Sequence, residues 1–224
     1  MTETATCKLC VENAPREFHA GKWVHPIPDS KTGLLLGDCG FQGDAPRKGD
    51  WIQTFTGRKF FARDPRPEEI HILDIAAGLR NARYSCQSIG VETVLEHSVL
   101  LRRAAAARGH DLRLQRAALL HDASEAYFVD VPRPIKRDLA NYLEIEDGIM
   151  RAIAARFDFD WPMPAEVKAL DNAILIDEMQ QNMAPAPDRW RQLAGDPLGV
   201  RITCWPPDHA FLVFLQECAL VGAV

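Results

Sequence analysis

The chain has 224 residues, of which 47% are hydrophobic and 25% are charged, a balance that excludes collagen-like, coiled-coil and wholly disordered proteins. Its formal net charge of -5 argues against a broad nucleic-acid-binding surface and favours a small anion as ligand. No apolar run approaches the roughly 18 residues that span a bilayer. The first residues, MTETATCKLC, lack the basic and apolar regions of a secretory signal, so we expect a cytoplasmic protein.

The first 50 residues differ from the remainder of the chain in composition and in the pattern of apolar residues. Prolines and glycines punctuate short segments in which no apolar periodicity persists. From Trp51, the sequence WIQTFTGRKFF alternates about a Thr56-Gly57 turn signal, which is typical of a short β-hairpin. The sequence therefore predicts a small loop-rich N-terminal lobe, residues 1–50, and one main domain, residues 51–224, that begins with this hairpin.

Helical patterns dominate the main domain. Asp64 and Pro65 supply an N-cap and a first-turn proline for one helix, and Gly109 closes a later one. The predicted helices cover about residues 64–77, 93–108, 112–126, 134–153, 165–181 and 209–220, and a strand is predicted at 200–204. Apart from the lobe and the hairpin, the predicted fold class is all-α.

Two histidines fall on apolar helix faces. His97 precedes Leu101 by four residues on one apolar stripe, where a histidine is more often a hydrogen-bonded core residue than a ligand. His121 is different, because Asp122 follows it directly and Glu125 lies one turn later. Three ionisable groups on one apolar helix favour a functional site.

Asp171 repeats the anomaly on a third helix, between Val167 and Ile174 on the apolar face. Burial of this carboxylate without a partner would be costly. A divalent ion bound by two imidazoles and two carboxylates would satisfy all of these groups, and such donors suit transition metals. The alternative is a buried salt-bridge network. We favour the metal because each of three helices places, on its apolar face, a polar residue of a type that binds metals.

Four residues resemble the H…HD…D signature of the HD-domain metal-dependent phosphohydrolases: His97, His121, Asp122 and Asp171. The segment HDASEAYFVDVPRPIK, residues 121–136, is similar to the corresponding stretch of 5'-deoxynucleotidases and of small deoxynucleoside triphosphate triphosphohydrolases, including phage-type dATP triphosphohydrolases. Arg83-Tyr84 and LEHSVL also resemble elements of these enzymes, so the similarity covers about residues 51–180. The GYP element of HD cyclic-dinucleotide phosphodiesterases and the acidic pair of guanosine-tetraphosphate hydrolases are missing.

The resemblance implies an all-α HD-domain helical bundle of five or more core helices, usually dimeric. It implies one divalent metal ion (Mn, Co, Zn, Fe or Ni, with Mg for a triphosphate substrate) bound by the four signature residues. By the same resemblance, Glu125 handles protons and Asp130 is a second catalytic or sugar-contacting carboxylate. The implied substrate-binding residues are Arg83, Tyr84, Arg133 and Lys136. A planar guanidinium suits phosphate, and Arg83 is ranked first among them.

The activity implied is hydrolysis of deoxynucleotides. A deoxynucleoside monophosphate would give the deoxynucleoside and phosphate, and a triphosphate such as dATP would give the deoxynucleoside and triphosphate. The sequence leaves open which base is preferred and whether the substrate is a monophosphate or a triphosphate. The competing hypothesis is a regulatory HD protein that senses nucleotides or associates with nucleic acid without turnover. The complete ligand set and Glu125 favour the enzyme. We expect a nucleotide ligand, a homodimer or higher homo-oligomer, and no nucleic-acid or membrane partner.

The cysteines suggest a second metal site. Six cysteines occur in a chain without a secretory signal, so we expect reduced thiols. Cys7 and Cys10 form a C-x-x-C pair, and a structural zinc would explain how a short Pro-rich lobe folds without a large core. The other zinc ligands would come from His19, His25 and Cys39. Free thiols are the alternative, because a complete zinc knuckle usually shows a second tight pair.

Overall fold

The computed structural model describes residues 17–19, 22–27, 35–38, 47–188, 190 and 195–224. The chain divides into two compact units, Met1–Lys48 and Gly49–Val224. The second unit is mostly helical, which confirms the predicted predominance of α structure. Its α-helices are α1 (Ile72–Gly78), α2 (Val94–Ala107), α3 (Leu112–Leu120), α4 (Glu125–Phe128), α5 (Arg133–Lys136), α6 (Tyr142–Phe157), α7 (Ala165–Asn182) and α8 (Pro207–Val221). Among the described residues, no helix combines the length and apolarity needed to cross a membrane.

The first unit contains an antiparallel sheet that the sequence did not predict. Its strands, in the order β1-β2-β3, are β1 (Glu17–His19), β2 (Lys22–Ile27) and β3 (Leu35–Asp38). Pro26 lies inside β2, and proline normally argues against a strand with a partner on each side. β2 pairs with β1 only as far as Val24, so at Pro26 the described pairing is with β3 alone. The absent N–H of Pro26 is therefore compatible with this strand.

The predicted hairpin is present. β4 (Ile52–Gln53) and β5 (Lys59–Phe60) pair antiparallel, and the connecting turn has Gly57 at φ +79°, a conformation that glycine adopts without strain. Asp74 of α1 accepts the Thr56 N–H at 2.7 Å and the Thr56 hydroxyl at 3.0 Å. These bonds tie the turn of the hairpin to the helical unit.

Helix α2 lies at the centre of the helical unit and contacts α3, α7 and α8. It begins as predicted, since Thr93 caps its first turn by accepting the Glu96 N–H at 3.3 Å. Its buried apolar residues join the main hydrophobic core, and His97 is buried on the same helix. The largest fully buried side chains of that core include Leu101, Leu119, Leu120, Ile149 and Ile153.

Three other predicted elements differ in the structure. The helix predicted at 64–77 is a 3-10 turn, Pro67–Glu69, followed by α1, because Ile70 and His71 are extended and His71 caps α1. The helix predicted from 134 is split into α5 and α6, and Asn141, with φ +64°, precedes α6. The helix predicted at 112–126 ends at Leu120, and α4 begins after a tight turn.

The strand predicted at 200–204 is also wrong. That segment has no ladder partner among the described strands and instead binds the buried carboxylate of Glu96. Glu96 accepts the Thr203 N–H and hydroxyl, each at 2.8 Å, and the Trp205 N–H at 2.6 Å. One side chain of α2 therefore anchors the segment that leads into α8.

Helix α1 approaches α4 unusually closely. A Cβ atom added at Gly78 would lie 2.3 Å from the carbonyl oxygen of Ala126. Real Cβ atoms essentially never come so near to a backbone atom. Glycine at this position therefore permits the contact between α1 and the helix that carries Glu125.

Candidate metal centre and adjoining cavity

Two imidazole rings face each other inside the helical unit. His97 on α2 is fully buried, and its Nδ1 lies 2.5 Å from Glu178 Oε1. His121, directly after α3, has its Nδ1 2.9 Å from the carbonyl oxygen of Ala118. Because both Nδ1 atoms face acceptors, each carries a proton and donates it. The two Nε2 atoms, which lie 3.1 Å apart, are left as acceptors in the neutral rings.

Two carboxylates complete this cluster. Asp122 Oδ2 lies 3.2 Å from His121 Nε2 and 3.8 Å from His97 Nε2. Asp171 Oδ1, contributed by α7, lies 3.6 Å from His97 Nε2 and 3.8 Å from His121 Nε2. The structure thus brings together the four residues that the sequence singled out as metal ligands.

The tight turn between α3 and α4 explains how neighbouring residues serve the same site. Ala123 N–H donates to Leu120 O at 3.0 Å and Glu125 N–H donates to Asp122 O at 2.9 Å. These i to i-3 bonds wind the backbone more tightly than an α-helix does. His121, Asp122 and Glu125 consequently all line one cavity.

The donor set fits a divalent cation. Neutral imidazole nitrogens and carboxylate oxygens are ligands of transition metals, and a second bond from Nδ1 to an oxygen commonly orients a metal-binding histidine. His97, His121 and Asp171 each offer a ligand atom, and these atoms all lie within 4.8 Å of one another. Without a cation, two imidazole lone pairs and two carboxylates would repel one another at the centre.

The electrostatics of the cluster favour positive charge. Burial opposes a charged imidazole, but the carboxylates of Asp122 and Asp171 outweigh it and raise the pKa of His121 to about 10. The pKa values of both carboxyls are lowered, although burial acts in the opposite direction, because His121 stabilises their ionised forms. A proton or a metal ion satisfies the same demand for charge.

Glu125 lies beside the cluster without an ion-pair partner of its own among the described residues. It is 5% exposed, and its Oε2 has no hydrogen-bond partner among them. Burial, together with the Asp122 and Asp130 carboxylates, raises the pKa of Glu125 well above its ordinary value. The site therefore favours the protonated form of Glu125, which has an oxygen available to a ligand in the cavity.

Asp130 and Tyr84 hold each other in place. Asp130 Oδ2 accepts the backbone N–H of Tyr84 at 2.8 Å. Tyr84 has φ +53°, and Val129, directly before Asp130, has φ +67°. Such a conformation costs a non-glycine residue on the order of 1–3 kcal/mol and clusters at functional sites. The bond between Asp130 and Tyr84 joins two strained segments at the rim of the cavity.

Arg83 is a buried cation next to the metal ligands. Its Nη1 donates to Asp122 Oδ2 at 3.3 Å, and its Nε lies 3.4 Å from Glu178 Oε1. Burial disfavours its charge, but Glu178 and its other acidic neighbours raise the pKa of Arg83 above its ordinary value. Arg83 therefore presents a positive charge at the cavity wall, next to Asp122.

The other predicted cations have partners of their own. Arg133 Nη2 donates to Asp171 Oδ2 at 2.6 Å and its Nη1 donates to Asn172 Oδ1 at 3.2 Å. Lys168, which the sequence analysis did not identify, donates to the same Asp171 oxygen at 3.0 Å. Lys136 is paired with Glu146. All three line the cavity, and two of them, Arg133 and Lys168, donate to Asp171, a candidate metal ligand.

The cavity adjoining the cluster has a volume of about 660 Å³, within the range of small-molecule sites. Its lining combines the charged residues described above with apolar and aromatic ones, which include Met150, Trp161, Met163, Val167, Leu175 and Trp190. The cavity can therefore accept a ligand that combines an anionic group with a flat, weakly polar group.

The structure leaves the predicted N-terminal zinc site undescribed. Cys7, Cys10 and Cys39 lie outside the described residues, and His19 and His25 belong to β1 and β2, where the structure gives the backbone alone. The cysteines with described side chains, Cys86, Cys204 and Cys218, are free thiols, in agreement with the expectation of reduced cysteines.

Comparison with known proteins places the chain among relatives without an assigned function. It is 30% identical over 170 residues to the uncharacterized protein YfdR of Escherichia coli K12, an overlap of 75% of this chain and 93% of YfdR. The chain belongs to the YfdR family. It is also 37% identical over 127 residues to the uncharacterized protein RCAP_rcc00048 of Rhodobacter capsulatus. This overlap covers 54% of the present chain and 65% of RCAP_rcc00048. No protein-family model matches the chain.

Proposed function

We propose that this member of the YfdR family is an HD-domain metal-dependent phosphohydrolase that acts on deoxynucleotides. The observation that carries the proposal is the convergence of His97 Nε2, His121 Nε2, Asp122 Oδ2 and Asp171 Oδ1 in one cluster, of which His121, Asp122 and Asp171 line a cavity of nucleotide size. The ligand types, their order along the chain and the resemblance of residues 121–136 to 5'-deoxynucleotidases support it together.

A phosphate ester resists attack by water because its own negative charge repels nucleophiles. A divalent ion bound by His97, His121, Asp122 and Asp171 would supply an activated water and neutralise charge on the phosphoryl oxygens. Arg83 adds a second positive charge, close enough to the ligand Asp122 to contact the same phosphate. Its fixed fork favours phosphate over a spherical anion.

Glu125 is suited to move the proton that the reaction requires. Its raised pKa favours the protonated form, and its Oε2 has no hydrogen-bond partner among the described residues. In that state Oε2 can donate a proton to the oxygen that leaves phosphorus. Asp130, held by the Tyr84 N–H, would orient the sugar or the water.

The apolar residues that line the cavity would hold the nucleoside. Aromatic rings and methionines offer flat, polarisable surface to a base without demanding particular hydrogen bonds. This chemistry supports a nucleoside substrate without selecting one base. The charged residues of the lining suit a monophosphate and a triphosphate alike.

The proposal is tested by incubating the purified chain with each deoxynucleoside mono- and triphosphate and with Mn²⁺, Co²⁺, Mg²⁺ or Zn²⁺. Chromatography of the products distinguishes release of phosphate from release of triphosphate. We expect at least one substrate to be hydrolysed, and the activity to disappear with chelator and return with metal. A chain that binds nucleotides tightly but hydrolyses none of them would overturn the enzyme and favour the regulatory alternative.

A further inference from the structure

Glu178 contacts several residues of the candidate site, although it is not one of the four candidate metal ligands. It lies on α7, two helical turns after Asp171, and it is 0% exposed. Its Oε1 lies 2.5 Å from Nδ1 of His97 and 3.4 Å from Nε of Arg83. Its Oε2 accepts the hydroxyl of Tyr84. One carboxylate thus contacts a candidate metal ligand and two candidate substrate-binding residues.

We propose that Glu178 is a positioning residue that sets the orientation of His97 toward the metal and of Arg83 toward the phosphate, so that both affinities depend on it together. The inference rests on the proposed function, because it concerns the metal and the phosphate of that same site. Glu178 acts through other residues and does not itself contact the reacting atoms.

We expect the metal affinity and the phosphate affinity to be coupled because His97 and Arg83 share one oxygen of Glu178. His97 and Arg83 both contact Oε1, so a rotation of the carboxylate that moves one contact also moves the other. The hydrogen bond from His97 Nδ1 keeps the proton on that nitrogen and leaves Nε2 as the ligand atom. The negative charge of Glu178 also compensates the buried guanidinium, which has only Asp122 as another ion-pair partner among the described residues.

The experiment titrates Co²⁺ into the purified full chain and follows both the affinity and the visible spectrum of the bound ion. Inorganic phosphate is then titrated into the Co²⁺-loaded protein. For Glu178→Gln we expect Co²⁺ affinity to fall by about 10- to 100-fold, the usual effect of losing a group that supports a metal ligand. Phosphate affinity should fall by about tenfold, and the Co²⁺ spectrum should change.

The matched control is Glu92→Gln. Glu92 is another buried glutamate next to Glu178, and Asn182 donates to it at 3.2 Å. Its pKa is raised to about 9 by burial and by Glu178, so it is already neutral near pH 7 and glutamine is a close replacement. We expect both affinities of this variant to stay within about threefold of the wild type, because glutamine can still donate a hydrogen bond to Glu178, and the contacts of Glu178 with His97 and Arg83 are left in place.

Glu178→Gln leaves Arg83 with less compensating charge, which could prevent folding. In that case Glu178→Gln is combined with Arg83→Met and compared with Arg83→Met alone. The same loss of Co²⁺ affinity between these two proteins supports the inference. Unchanged Co²⁺ affinity and spectrum in a folded Glu178 variant would overturn it while leaving the metal centre intact. A wild-type chain that binds none of the metals would overturn the proposed function and this inference with it.

Discussion

His97 Nε2 and His121 Nε2 lie 3.1 Å apart, and the Nδ1 atom of each ring donates a hydrogen bond to an oxygen. The cluster favours positive charge and its imidazole and carboxylate donors suit a divalent ion, so we expect wild-type protein to bind one such ion per chain at this site. His121→Ala should lose metal affinity by more than the 10- to 100-fold that follows loss of a supporting group. Metal analysis after gel filtration measures the stoichiometry. His209→Ala, an exposed histidine of α8, is the control and should retain the metal. Equal metal content in the two variants would contradict the assignment.

Glu125→Gln separates proton transfer from binding. The glutamine keeps the size of the side chain but has no acidic proton to donate, so turnover should fall by roughly 10²- to 10⁴-fold. The metal ligands are untouched, so metal content and KM should change little. Steady-state kinetics on the substrate found in the nucleotide panel provide the measurement. Full activity in this variant would remove Glu125 from the proton-transfer role.

Glu92 should make the stability of the fold depend on pH. Burial and the Glu178 carboxylate raise its pKa to about 9, against the opposing effect of Arg83, while the unfolded value is about 4.3. Between these values the folded chain holds a proton that the unfolded chain has released, so this contribution to stability is lost as pH rises. Relative to Glu92→Gln, the free energy of unfolding of the wild type should fall by about 1 kcal/mol per pH unit from pH 5 to 8.

Urea unfolding of both proteins in the presence of chelator measures this difference without a contribution from bound metal. The two stability curves should converge toward acid pH and diverge toward pH 8. Parallel curves would show that Glu92 ionises alike in the folded and unfolded chains.

Glu96→Gln tests the anchor of the segment that precedes α8. The amide nitrogen of glutamine cannot accept, so at least one of the three donors from Thr203 and Trp205 loses its partner. An unmade bond of this kind costs about 1–3 kcal/mol, which urea unfolding resolves. Glu166→Gln, at an exposed position in the first turn of α7, should change stability by less than about 0.5 kcal/mol. Similar losses in the two variants would show that Glu96 anchors nothing.

The sequence was informative where a polar residue interrupts an apolar stripe. His97 and Asp171 were found in this way, because burying an unpartnered polar side chain is costly and such residues are rare on core faces. The same stripe on α7 continues from Ile174 to Glu178, four residues later. Extending the pattern by one turn would have identified Glu178, although periodicity alone gives neither its contact with His97 nor its contact with Arg83.

The cation pairs could not be predicted, because they depend on loop geometry. Arg133 reaches Asp171 across 38 positions of sequence, and Lys136 reaches Glu146 on the following helix. Nothing in the local pattern of either residue indicates which carboxylate will lie opposite it. The tight turn after α3 was missed for a similar reason, since its residues are compatible with a continuous helix and tertiary contacts decide the winding.

Gly78 shows how a residue outside the candidate metal centre can determine the position of a residue that lines the cavity. The missing side chain lets α1 lie against the Ala126 carbonyl, one residue beyond Glu125. Any larger residue at this position would require α1 to tilt away from α4 or the turn that carries Glu125 to move. The size of one side chain on a neighbouring helix thus limits where the Glu125 carboxyl can lie in the cavity.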